Sequence, residues 1–211
     1  MKTIYLVFFT ILFIACSNDN KEETCNCPPF SLIPRSPYDD PVWHPSGEII
    51  GFNHHPITEI NYTYGYDCPL QALYTYNLEE AGFWQVNKDG SNPHRILDYE
   101  FQTPAWSPDG NWIAFVKGAQ IFKMPFDGEQ FDTSKMVQLT FEGRNFSPAW
   151  SPDGEWIAYD SNVGSEVGGY RIWKMRSNGN SKKRIAYTPT LGETRMPFWG
   201  ENNLIIHTRC G

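Results

Sequence analysis

The sequence predicts an all-β fold: a small β-propeller of about four blades, three of them full and one composite, assembled from both termini. Three observations predict it. The stretch PAWSPDGNWIAF (104–115) returns as PAWSPDGEWIAY (148–159), less closely as PVWHPSGEIIGF (41–52), and most loosely as PFWGENNLIIHT (197–208). A second signature follows: GFWQVNKDG ends at Gly90, QIFKMPFDG at Gly128 and RIWKMRSNG at Gly179. The repeat tryptophans Trp43, Trp106, Trp150 and Trp199 are 63, 44 and 49 residues apart. A spacing near 44 with four strands per unit is the propeller-blade period.

Each element has a local cause. Pro108 presets φ for the second position of a type I turn, Asp109 tolerates the third, and Gly110 supplies the positive φ that closes it. The flanking strands, 105–106 and 112–116, are apolar on both alternating faces, so both faces must be covered. The second signature is an alternating strand closed by Asp-Gly or Asn-Gly, a strong hairpin signal. Short fourth strands follow at 95–98, 137–140 and 184–187. A unit is thus four antiparallel strands, A to D.

The chain starts differently. Met1-Lys2, a mainly apolar run over 4–15 and then Cys16 read as a secretory signal, too short to span a bilayer. LFIAC (12–16) resembles a bacterial lipobox, although Phe13 replaces the usual small aliphatic residue. That resemblance implies that residues 1–15 are a signal peptide and that Cys16 is acylated. Ser17 then implies sorting to the outer membrane, facing the periplasm or the cell surface. Residues 16–29 form the lipidated Cys and a polar tether, whose acidic Asp19, Glu22 and Glu23 resemble a surface-export signal. Residues 30–211 form the propeller, with an insert at 53–81.

There are 17 basic and 24 acidic side chains, for a formal charge of −7, and only 171–184 is mildly basic. No clustered cationic surface is available for nucleic acid. Besides Cys16 there are Cys25, Cys27, Cys68 and Cys210. An even count in an exported chain argues for disulfides, with three possible pairings. A Cys25–Cys27 bridge would close a strained ring, so the expectation is that one of the two meets Cys68 and the other Cys210. A four-thiolate zinc site is the rival, disfavoured in an oxidising compartment, and no metal or other cofactor is expected.

WSPDG-x-W-I-A-F/Y followed by I-F/W-K-M and (D/N)G resembles the WD-like repeat of the TolB-type β-propellers, over about 30–208. Blades two and three match closely. Blade one carries His44 and Ser46 at variant positions, and the last lacks the Pro-Asp-Gly turn. The resemblance implies a periplasmic or surface protein that binds partners through its propeller faces. The same repeat caps certain serine peptidases and builds some polysaccharide lyases, so fold does not name function. Counting strands leaves the last blade without a C strand, its D strand supplied by a weak segment at 31–34. Either this blade is short, or the ring is open and closes by self-association.

No residue is expected to be catalytic. All eight tryptophans are absorbed by the repeat as inter-blade core, and Asp109 and Asp153 bond amides of their own turns. No G-x-S-x-G elbow is present. His54 and His55 are adjacent at a loop entrance, and on one strand they would point to opposite faces. The insert holds Tyr62, Tyr64, Tyr66, Tyr74 and Tyr76, five of the chain's eleven tyrosines. It is either a functional loop or an extra hairpin over the seam, since YTYGY and LYTYN alternate like strands. Function sits on variable loops held by a regular scaffold. Recognition is therefore expected on the face carrying the insert, with Tyr62, Tyr64, Tyr66, Tyr74 and Tyr76 as anchors, Asp39 or Asp40 near the channel mouth, and His54 and His55 beside them. The leading function is a non-catalytic, lipid-anchored module recognising an envelope protein or glycan. The alternatives are a lyase-like, metal-dependent polysaccharide enzyme using His54, His55 and Asp67, and a structural subunit self-assembling at its open blade.

Overall fold

The computed structural model describes residues 36–63, 71–165, 169–185, 193–200, 202 and 204–210. Cys16, Cys25, Cys27, Tyr64, Tyr66, Asp67, Cys68 and the segment 31–34 lie outside them. Cys210 is described only as the last residue of a strand.

The fold is all-β, as expected. Blade one comprises β1 (Tyr38–Trp43), β2 (Ile49–His54), β5 (Gly82–Asn87) and β6 (His94–Leu97), in that order across the sheet. Blade two comprises β7 (Gln102–Trp106), β8 (Trp112–Lys117), β9 (Gln120–Pro125) and β10 (Val137–Gln138). Blade three comprises β11 (Asn145–Trp150), β12 (Trp156–Ser161), β13 (Arg171–Arg176) and β14 (Lys183–Arg184). A two-stranded sheet, β15 (Glu193–Trp199) and β16 (Ile205–Cys210), ends the series. Between β2 and β5 the insert forms a separate hairpin, β3 (Ile57–Thr63) and β4 (Gln71–Tyr76). The insert thus pairs with itself, as its alternation allowed.

The turn chemistry is visible atom by atom. Gly110 N donates to Ser107 O at 2.9 Å with Gly110 at φ +73°, and Asp109 Oδ1 accepts from Asn111 N at 3.1 Å. Ser151, Asp153 and Glu155 repeat the pattern in blade three. These bonds hold both aspartates below the usual carboxylate range, the serine hydroxyl contributing most. In the last sheet Trp199 pairs with Ile205, whereas Trp150 pairs with Ile157. Its turn is therefore one residue shorter than the matched sequences suggest, because Gly200 N reaches Leu204 O directly.

The blades pack through their A strands, β1 on β7, β7 on β11 and β11 on β15. Trp150 Nε1 donates to Ala105 O at 3.1 Å, and Trp199 Nε1 to Ala149 O at 3.0 Å. Trp150 and Trp199 thus face the preceding blade and cap the carbonyl beside that blade's own tryptophan. Two expectations are corrected here. The C-to-D connections are not uniformly tight: in blade two, Phe126 and Phe131 pair across an irregular loop with a 3-10 turn at Thr133–Lys135 and enter the core around Trp106. Nor are all tryptophans inter-blade core. Trp43 is 57% exposed, and Trp112 and Trp156 lie beneath cations instead, Lys123 Nζ at 4.2 Å and Lys174 Nζ at 4.4 Å from their rings.

Candidate binding face

Each of the four A strands is interrupted by a bulge. In every case the bulged residue has positive φ and precedes proline: Asp40 (46°), Thr103 (48°), Ser147 (52°) and Met196 (53°). A non-glycine residue held there costs about 1–3 kcal/mol. The segments 38–40, 102–103, 145–147 and 194–196 are thus strand residues, each ending in a strained step. With the prolines that follow them, the four residues line one cavity of about 270 Å³.

Two carboxylates, Asp40 half-buried and Asp160 fully buried, brace this ring. Asp40 Oδ2 accepts from Thr103 N at 3.3 Å and from Asn53 Nδ2 at 3.4 Å. Asp160 Oδ1 accepts from Met196 N at 3.2 Å, and Ser147 supplies a further hydroxyl bond. Burial pushes both acids above the usual carboxylate range, outweighing these donors. Asp160 is fully buried, and its Oδ2 has no hydrogen-bond partner among the described residues.

Beside the ring stands the hairpin. His55 lies between two carboxylates, Nε2 3.7 Å from Asp39 Oδ2 and Nδ1 3.1 Å from Glu100 Oε1, with Tyr76 edge-on at 5.6 Å. Its ring therefore joins β1, the β6–β7 connection and the base of β4. His54 turns the other way, stacked on Tyr38 at 4.7 Å and edge-on to Trp84 at 5.2 Å, and burial lowers its pKa. The histidines do not converge, and among the described residues no three His, Cys, Asp or Glu side chains come together as a metal site.

Pairing of Ile60 with Tyr74 and of Tyr62 with Ala72 puts Tyr62, Tyr74 and Tyr76 on one face of the hairpin. Tyr74 and Tyr76 stack at 6.4 Å, and Tyr62 is 49% exposed. Of the residues predicted for the site, the structure gathers Asp39, His55 and Tyr76 in one cluster, with Tyr74 and Tyr62 continuing along the hairpin. Asp40 faces the cavity, and His54 packs under Tyr38. Sequence reasoning did not single out Glu100, Asn53, Thr103, Ser147 or Met196. For Thr103, Ser147 and Met196 the signal was the X-Pro pair repeated in each A strand, since the residue before proline is conformationally restricted; Asn53 and Glu100 carry no such local mark.

No protein-family model matches the chain, nor does any curated protein. Solved structures do. TolB from Acinetobacter baumannii is 16% identical, with a TM-score of 0.56 over 81% of this chain and 37% of its own. XC5397 from Xanthomonas campestris, a gluconolactonase, is 16% identical, with a TM-score of 0.51 over 76% of this chain and 50% of its own. The chain thus has the TolB-like propeller fold, and it spans half or less of the length of these two neighbours.

Proposed function

We propose that the chain is an exported β-propeller module, held at the envelope by a lipid on Cys16, that recognises a protein or glycan without catalysis. The observation that carries this reading is the hairpin β3–β4: an aromatic face standing off the propeller, its base fixed by His55 between Asp39 and Glu100. Tyrosines offer flat apolar area with a polar tip at low entropic cost, which suits a protein hot spot or a sugar ring. The strained ring at Asp40, Thr103, Ser147 and Met196 lies on the neighbouring surface, so a bound partner would cover both. That TolB is a structural neighbour favours the envelope setting. The gluconolactonase neighbour keeps an enzymatic reading in play, and turnover assays on lactones and polysaccharides address it directly.

The test is excision of residues 57–76. Asn77 N donates to Pro56 O at 2.8 Å, so a short Gly-Ser turn can close the gap without moving β2 or β5. The shortened protein should melt near the parent temperature and lose capture of envelope proteins and glycans by at least tenfold. Capture at parental affinity by the folded deletion would remove the hairpin from the site. In the same cells, Cys16→Ala should abolish acyl labelling and release the chain from membranes; a single acyl chain holds a protein only marginally, so more than one is expected at this residue.

A further inference from the structure

The blade series has two ends, and they match. Inside the chain, the interface between successive blades pairs a tryptophan-bearing face with a face of small residues. The small pairs are Val42 with Gly51, Ala105 with Ala114, and Ala149 with Ala158, each directly opposite across its A and B strands. Trp150 and Trp199 dock on two of these faces and donate their indole N–H to the main-chain carbonyl at the A-strand position. Val42 packs into the cluster around Trp106 in the same sense.

Trp43 holds the equivalent place in blade one, on the side away from blade two, and is 57% exposed where Trp106 and Trp199 are 8% and 7%. At the other end, register places Phe198 opposite Ile206, the counterpart of Ala149 opposite Ala158. Phe198 is 66% and Ile206 56% exposed, whereas Ala158 is fully buried. One end thus presents a tryptophan two of whose counterparts, Trp150 and Trp199, donate to a carbonyl; the other presents the main chain of residue 198 framed by apolar side chains. A lone large apolar residue at a surface is ordinary, but complementary halves of an interface already used twice are not.

We infer that these ends bind each other between molecules, Trp43 of one copy seating on the Phe198–Ile206 face of a second copy of this chain. The contact is head to tail, so each copy uses one donor face and one acceptor face, and the assembly closes when the rotation allows. Phe198 and Ile206 are bulkier than the alanines within the chain, so Trp43 sits less deeply than Trp150 or Trp199. The joint is therefore separable, unlike the internal ones. It leaves the hairpin face free for the envelope partner and does not depend on that partner's identity.

The experiment uses the full chain purified in detergent, with protein mass measured by sedimentation and light scattering at micromolar concentration. The wild type should have a mass that is a whole multiple of the single chain's, two or greater. Trp43→Asp and Phe198→Asp should each associate at least 100-fold more weakly, while melting as the wild type does at low concentration. Mixing the two variants should restore a dimer, because one keeps a good acceptor face and the other a good donor face. Should Phe198→Asp fail to fold, Ile206→Glu takes its place. A wild type of single-chain mass, with the ends covered by the chain's own earlier residues, would overturn the inference. So would association that survives both substitutions, or two variants that fail singly and fail equally when mixed.

Discussion

Trp106 and Trp43 occupy the same position of the same repeat and meet opposite fates. Trp106 packs among Phe126, Phe131 and His44, its ring nearly parallel to Phe131 at 5.6 Å. Trp43 lies on the outer side of β1, exposed. The local motif is P-x-W in both, so the motif itself does not distinguish them. The difference comes from what stands beside each sheet. A repeat protein buries its faces by stacking, so every internal unit borrows half its core from a neighbour, and the terminal units expose what internal ones hide.

Truncating each tryptophan should give the largest contrast between the two sites. Trp106→Ala should cost about 3–5 kcal/mol. Trp43→Ala, measured in dilute single chains, should stay within about 0.5 kcal/mol. Urea denaturation reads both, and equal losses would mean that the two sites are covered alike.

A smaller effect concerns Asp160, whose counterpart in blade two is the buried Val116: Phe146 pairs with Asp160 as Gln102 pairs with Val116. Burial raises its folded pKa above the unfolded value. The sign follows. A carboxyl shifted upward contributes stability that is fully present below its unfolded pKa, near 4, and lost as pH rises through the folded pKa. At pH 7 the charged form is a burden, so Asp160→Asn should gain about 1–2 kcal/mol. The gain should vanish as pH falls towards 4, and melting curves across that range would show it. A constant difference at every pH would place the effect in packing.

The smallest expected effect separates the indole N–H from the ring. Trp150→Phe removes the donor to Ala105 O and should cost about 1 kcal/mol more than its lost area alone. Trp106→Phe should lack that increment, because Trp106 Nε1 has no hydrogen-bond partner among the described residues. Matching losses in the two variants would deny the carbonyl cap its role.

The sheets were legible because their causes are local: proline, aspartate and glycine in the Ser-Pro-Asp-Gly turn, alternation in the C strands, and a period near 44. One strand of the insert was also legible, LYTYN (73–77) overlapping β4, whereas most of YTYGY (62–66) lies outside the described residues and β3 runs through ITEINYT instead. The site was only half legible. Tyr62, Tyr74, Tyr76, Asp39 and His55 were named from their loop positions, but Glu100 was not. It is 45 residues from His55 in sequence and meets it only because the β6–β7 connection folds back beside β2.

The sequence by itself determined the type of each strand, the two Ser-Pro-Asp-Gly turns and the order of the blades, since those follow from φ preferences and hydrophobic alternation within a dozen residues. Tertiary structure alone decided which copies of a repeated residue are buried and which acid is stranded beside the cavity. Those outcomes depend on neighbours dozens of residues away, and a repeat, being nearly identical in each copy, carries no local record of whether a neighbour is there.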